Sequence, residues 1–217
     1  LRGLTQLLAE DIPEDHPRKK YAQVMIEEVD RLNSVVQQLL DFSAVSKEEM
    51  VKRDVNELLE RVFQLAKPAL KKKPSVDVRM ELAQPAPCIG VFEHKMVQAF
   101  LNLLLNAIEA VDEQGTVRLV SRESDSKVEI DFFNSGSYIE PEQVERIFDP
   151  FFTTKEKGTG LGLSITHRII RQHQGDLRVK SSREDGTCFT VSIPLESSAK
   201  AVDHWEEETE PAQSSGV

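Results

Sequence analysis

The sequence predicts an α+β chain in which a helical hairpin forms a dimeric four-helix bundle, followed by a two-layer α/β sandwich with a mixed sheet. Three observations predict it. The first 46 residues repeat apolar side chains at helical spacing. The segments after about residue 55 switch between helical and strand periodicity. Two alternating runs, 116–121 and 127–133, stand at hairpin-like spacing, which a purely parallel sheet does not use. A chain of 217 residues holds one ordinary domain of about 100–150 residues plus an appended element.

Taking the elements in order, Leu1, Leu4 and Leu8, with Leu7 beside them, share one helical face, and DIPEDHP breaks the pattern with two prolines near residue 10. The pattern is already under way at Leu1, so the chain is expected to begin mid-protein. A longer helix is expected over 17–46. Ala22, Met25, Val29, Leu32, Val36 and Leu39 make one heptad seam; Tyr21, Val35 and Phe42 share Met25, Leu32 and Leu39 in a second. Two helices around a Pro-containing turn have too little core to stand alone. Pairing with a second copy into a homodimeric bundle is the economical solution, and packing of the hairpin on its own downstream domain is the alternative.

SKEEMVKR reads as a charged connector and VNELLERVFQLAKPAL as an amphipathic helix. VDVRMEL, TVRLVS, KVEIDFF, DLRVKS and CFTVSI alternate as strands, and helices are expected over 93–112 and 161–174. The expected domains are a dimerisation hairpin at 1–47, a sandwich at 48–195 and an acidic, disordered tail at 196–217.

Composition narrows the function. With 27 Lys and Arg against 37 Asp and Glu and a pI near 5.1, a nucleic-acid surface is not the main function. The tail holds much of the excess, with six acids against Lys200 alone. Cys88 and Cys188 show no CxxC or Cys/His spacing, which argues against a disulfide framework or zinc site and for a reducing, cytoplasmic compartment. No stretch approaches the ~20 apolar residues of a membrane span, so no direct membrane insertion is expected in this segment.

The chemistry concentrates on helix 93–112. Its apolar residues cover most of the circumference, yet Gln98, Asn102, Asn106 and Glu109 follow at spacings of 4, 4 and 3 along one stripe. A buried, unpaired amide costs ~1–3 kcal/mol. The stripe therefore faces either a polar cleft, where an Asn carbonyl suits a Mg²⁺ already carrying phosphates, or backbone partners in a core. GTGLGL (Gly158 to Leu163) precedes the last helix, where backbone N–H groups and the helix dipole favour an anion; an ordinary loop is the alternative. Just before it, Phe148, Phe151 and Phe152 form an aromatic anchor, followed by polar residues and Lys155. This is the composition of a mobile lid over 153–160, whose lysine can reach phosphate, or of a surface loop with a hydrophobic plug.

NLLLNAIEA at 102–110, FNSGSYI at 133–139, FDPFF at 148–152 and GTGLGL at 158–163 resemble, in order, the four nucleotide-binding boxes of sensor histidine kinases. YAQVMIEEVDRLNSVVQQLLDFS is similar to the second helix of that family's dimerisation and phosphoacceptor hairpin. The nearest flavour is the nitrogen-regulation, acetoacetate-sensing and sporulation type. The resemblance implies a Bergerat-type fold binding ATP and Mg²⁺ and transferring the γ-phosphoryl to a histidine for relay to a response-regulator aspartate. Asn106 is the implied metal contact, and Asn102, Asn106 and Lys155 are the implied catalytic set. Nucleotide contacts are implied at Asn102, Asn106, Asn134, Gly136, Ile139, Phe148, Lys155, Gly158, Thr159, Gly160, Leu161 and Gly162.

The chain departs from the family at four places. Asn134 stands where a carboxylate usually meets the adenine amino group, Tyr138 where a glycine is usual, and Glu109 where many relatives carry a basic residue. No acceptor box resembling His-Glu-x-x-Asn-Pro occurs, so the acceptor histidine is expected upstream of residue 1, and the first hairpin helix is expected to be truncated. His16, His94, His167, His173 and His204 read as structural or solvent-facing. The competing readings are an ATPase of the same superfamily, against which Asn102 counts because an amide is no general base, and a degenerate nucleotide-sensing or partner-binding module.

Overall fold

A computed structural model of the protein describes residues 2–13, 16–26, 28, 29, 32, 48–112, 114–155 and 158–195. Helix α1 (Arg2–Glu10) stops ahead of Pro13, and the Lys19 ammonium closes its C-terminal end by donating to the carbonyls of Ala9 at 3.0 Å and Ile12 at 3.1 Å. Helix α2 covers residues 19–26, with 28, 29 and 32 also helical. Ala9 and Ala22 are buried, while Leu4, Leu7, Tyr21, Met25 and Leu32 are exposed. The seam positions Val35, Val36, Leu39 and Phe42 lie outside the described residues, as does the tail at 196–217.

The expected connector SKEEMVKR is in part a strand. β1 (Val51–Asp54) pairs antiparallel with β3 (Cys88–Val91), a two-stranded sheet that the sequence did not announce. Four residues with Lys52 and Arg53 turned to solvent leave too little alternation to read. β1 ends at Asp54, which caps helix α3 (Val55–Lys71): its carboxylate accepts from the N–H groups of Asn56 at 2.7 Å and Glu57 at 3.2 Å.

The remaining strands, β2 (Val76–Glu81), β4 (Gly115–Ser124), β5 (Lys127–Asn134), β6 (Asp176–Ser182) and β7 (Gly186–Pro194), form one sheet in the order β2-β4-β5-β7-β6. β2 and β4 run parallel and every other pair is antiparallel, so the sheet is mixed as expected. Alternation decides the two faces. Val117, Leu119, Val128, Ile130, Phe132, Val191 and Ile193 point into the core, while Arg122 bonds Glu129 and Asp131 on the polar face. Helices α3, α4 (Glu93–Ala110) and α6 (Gly162–Gln172) cover the apolar face, with the rings of Phe100 and Phe132 5.6 Å apart. A four-residue helix, α5 (Pro141–Val144), interrupts the connection from β5 to α6.

Two contacts fix helix ends that matter below. The Lys73 ammonium donates to the carbonyls of Ile108 at 3.1 Å, Glu109 at 2.9 Å and also Val111, so the C-terminus of α4 is closed by a cation rather than a glycine. His173, wholly buried after α6, accepts from Phe92 N–H through Nε2 at 2.9 Å and donates from Nδ1 to Ile169 O at 2.7 Å. Those two bonds need the neutral ring, and burial pushes its pKa below the ordinary histidine value of about 6.5. The folded chain therefore takes up this proton less readily than the unfolded one. Its stabilising effect is complete above about pH 6.5 and declines as pH falls below that. Melting temperature is expected to drop from pH 7 to pH 5, and His173→Gln is expected to reduce that slope; an unchanged slope would assign it to other groups.

Candidate functional site

Three segments meet around a pocket of about 710 Å³: the polar stripe of α4, the end of β5 with the loop that follows it, and the stretch from Phe152 into α6. Asn102, Asn106 and Glu109 of the stripe line the pocket; Gln98 does not. Neither asparagine is tied to core backbone. Asn102 Nδ2 donates to Thr166 Oγ1 on α6 at 2.9 Å, and Asn106 Oδ1 accepts from Lys155 Nζ at 2.9 Å. Helical spacing stacks these residues on one side, and the buried Leu103, Leu104, Ala107 and Ile108 hold that side toward the cleft.

Lys155 also bonds the Glu109 carboxylate at 2.6 Å. Its ammonium is thus held by two hard oxygen donors, the arrangement that suits a divalent cation. The pair is about half exposed, so its worth as a salt bridge is small. It lies in the same pocket as the start of α6, whose N-cap residue Leu161 provides no side-chain cap for the first-turn N–H groups. A pair of oxygen donors, a lysine ammonium and a helix N-terminus thus share one pocket, a set of groups of the kind that can hold anionic and cationic charge side by side.

Glycines allow the close approaches. A Cβ on Gly162 would meet Asn102 Oδ1 at 2.5 Å, and one on Gly160, whose φ is +69°, would meet the Phe151 backbone at 2.3 Å. Phe151 N–H donates to Gly160 O at 2.9 Å, which joins the two ends of the lid segment. Residues 156 and 157 of the expected lid lie outside the described residues.

Asn134 forms another wall. It is 2% exposed, lines the pocket, and its Nδ2 has no hydrogen-bond partner among the described residues. Across the sheet it pairs with Thr187, also buried and also on the pocket wall. A relay of hydroxyls sets the loop between them. Ile139 N–H donates to Ser181 Oγ at 2.9 Å, Ser181 meets Thr187 Oγ1 at 2.6 Å, and Thr187 donates to Ser137 O at 2.8 Å. Apolar surface from Ile139, Ile147, Phe152 and Phe189 completes a slot that suits a flat heterocycle.

Of the expected contacts, Asn102, Asn106, Asn134, Ile139, Lys155, Gly158, Thr159, Gly160 and Gly162 line the pocket. Gly136, Phe148 and Leu161 do not. Gly136 packs against the end of α4, the Phe148 ring lies 5.2 Å from that of His167, and Leu161 is in the core. The expected aromatic anchor also loses a member. Phe148 and Phe152 pack on the core, but Phe151 has φ +69° and is 65% exposed, because its backbone is engaged with Gly160. Thr187, Phe189, Gln143 and Ile147 also line the pocket, and the sequence does not announce them. Only the β5–β7 register and the turn of α5 bring them here, and no local motif signals that. None of the described histidines lines the pocket: His16 is exposed in the turn, His94 pairs with Glu48, His167 stacks on Phe148 and His173 is buried.

Residues 92–197 match the family model described as histidine kinase-, DNA gyrase B- and HSP90-like ATPase. The chain is 35% identical over 195 residues to the sensor histidine kinase ZraS of Escherichia coli K12, covering 90% of this chain and 42% of ZraS. It therefore spans less than half the length of that relative. The catalytic domain of histidine kinase ThkA superposes with TM-score 0.63 at 36% identity, covering 68% of this chain and 96% of that domain. ThkA in complex with response regulator protein TrrA superposes with TM-score 0.71 at 31% identity, over 90% of this chain and 57% of that one. Among the described residues, no helix is long and apolar enough to cross a membrane.

Proposed function

Since this chain belongs to the sensor histidine kinase family, we propose that its pocket binds ATP with Mg²⁺ and that the γ-phosphoryl passes to a histidine upstream of residue 1, then to a response-regulator aspartate. The observation that carries this is the shared hold of Asn106 and Glu109 on a cation beside the uncapped start of α6. In this reading the adenine lies in the slot against Asn134 and the phosphates extend toward α6. Asn106, with Glu109 beside it, would hold the Mg²⁺, whose charge neutralises the phosphate oxygens as transfer proceeds.

The protein's own groups then have distinct parts. Lys155 leaves the Asn106/Glu109 pair and follows the phosphate charge, a move of a flexible side chain within one cleft. Asn102 is oriented by its bond to Thr166 and offers no basic atom, so water facing the phosphate is not deprotonated there and transfer to a side chain is favoured over hydrolysis. The exposed apolar residues of α1 and α2 supply the face on which two copies would pair as a homodimer, presenting the acceptor helix to the pocket. The relatedness to ThkA, solved with its response regulator, supports a receiver domain as the next partner. Use of ATP as donor supports a cytoplasmic site for this activity.

The test is phosphoryl transfer itself. Residues 1–217 with γ-labelled ATP and Mg²⁺ are expected to bind nucleotide and form no acid-labile phosphohistidine. A polypeptide extended upstream through a His-containing acceptor box is expected to become labelled and to pass the label to a regulator aspartate. Label on His16 in the short chain, or none in the extended one, would overturn the assignment.

A further inference from the structure

We propose that Asn134 relaxes base selection at this pocket, so that 6-oxopurine triphosphates bind with affinity comparable to ATP; the inference rests on the nucleotide reading above. Asn134 is 2% exposed at the end of β5, lines the pocket, and keeps Nδ2 without a partner among the described residues. A buried donor left unmatched is costly, so an acceptor brought beside it by whatever fills the slot would be favoured.

The neighbouring groups do not compete for that role. Thr187, the other buried polar side chain on this wall, has one hydroxyl hydrogen, and it is donated to Ser137 O at 2.8 Å. Thr187 Oγ1 must then accept from Ser181, whose own oxygen already accepts from Ile139 N–H. Recognition of the base edge by a buried polar group thus falls to the Asn134 amide.

An amide reads a purine edge differently from a carboxylate. A carboxylate only accepts, so it matches the adenine 6-amino group and sets its lone pairs against a 6-oxo group. The amide presents one acceptor and one donor group of nearly equal size, and a half-turn about its last bond exchanges them. In one orientation Oδ1 accepts from the adenine amino group while Nδ2 donates to the ring nitrogen beside it. In the other, Nδ2 donates to the 6-oxo oxygen of hypoxanthine while Oδ1 accepts from the ring N–H. Both edges are satisfied by the same residue.

The experiment compares ATP with inosine triphosphate, which differs only at that edge, by calorimetry on the 217-residue chain with Mg²⁺. The two dissociation constants are expected to lie within about tenfold of each other, whereas sites that hydrogen-bond one edge alone reject the other far more strongly. In Asn134→Asp, ATP is expected to tighten and inosine triphosphate to weaken, opening the ratio at least about 30-fold. Asn134→Leu, which removes donor and acceptor together, is expected to weaken both nucleotides and leave their ratio near the starting value. A wild-type ratio above about tenfold in favour of ATP would overturn the inference while leaving the nucleotide site intact. A ratio that neither substitution moves would remove Asn134 as the determinant. Binding of neither nucleotide would sink the nucleotide reading, and this inference with it.

Discussion

Asn106→Ala is expected to reduce Mg²⁺-dependent ATP binding by about 100-fold or more while shifting stability by less than about 0.5 kcal/mol. The two halves of this expectation have separate causes. The side chain is half-buried at the pocket wall, and its hydrogen-bond partner among the described residues is the Lys155 ammonium, so truncation opens no core cavity and leaves that ammonium its bond to Glu109. Glu109 and Lys155 still have each other at 2.6 Å. In the proposed binding mode, what disappears is the neutral oxygen that would hold the metal ion, and with Lys155 then held by Glu109 alone, both the metal contact and the release of the lysine would suffer. Titration with ATP in the presence and absence of Mg²⁺, together with a thermal melt, separates the outcomes. A lowered melting temperature with unchanged affinity would make Asn106 a structural residue.

Gly136→Ala is expected to be severely damaging to the pocket's frame. A Cβ there would stand 2.1 Å from Ala110 O and 2.6 Å from Ala110 C, both backbone atoms of the α4 C-terminus. Backbone cannot swing aside as a side-chain end can, so either the loop after β5 or the last turn of α4 must move. That turn is held by Lys73, and the loop is tied to it by Ser137 N–H donating to Ala110 O at 2.9 Å. Overpacking of this kind costs about 1–3 kcal/mol. For a domain of this size the upper value lowers the melting temperature by roughly 6–12 °C. Nucleotide affinity is expected to fall with it, because the loop carries Ile139 and adjoins Asn134 on the pocket wall. Wild-type stability in this variant would mean that the loop has another conformation in solution.

Gly136 also marks a limit of reading from the sequence. Its motif places it among nucleotide contacts, while the structure shows a close approach that lets the loop lie against α4, with its neighbours lining the pocket. Phe151 is a similar case. An apolar residue between two phenylalanines is expected inside, but φ is set by the backbone bond with Gly160, which lies nine residues on in the chain. Local composition carries no information about such a bond.

What the sequence determined on its own was everything that depends on period and spacing. The polar stripe of α4 was legible because residues 102, 106 and 109 must share a face of any helix containing them. The five strands of the main sheet were legible because alternation sorts a core face from a solvent face before any partner is known. The order of the four boxes made the family legible. Only the tertiary structure decided how these pieces oppose one another. Register across β5 and β7 put Thr187 beside Asn134, the relay committed the Thr187 hydroxyl hydrogen to Ser137 O, and the segment after Phe152 brought Lys155 to Asn106 and Glu109. Those pairings join residues 46 to 53 positions apart, and a contact at that separation is chosen by the packing of whole elements, which no local window of the chain contains.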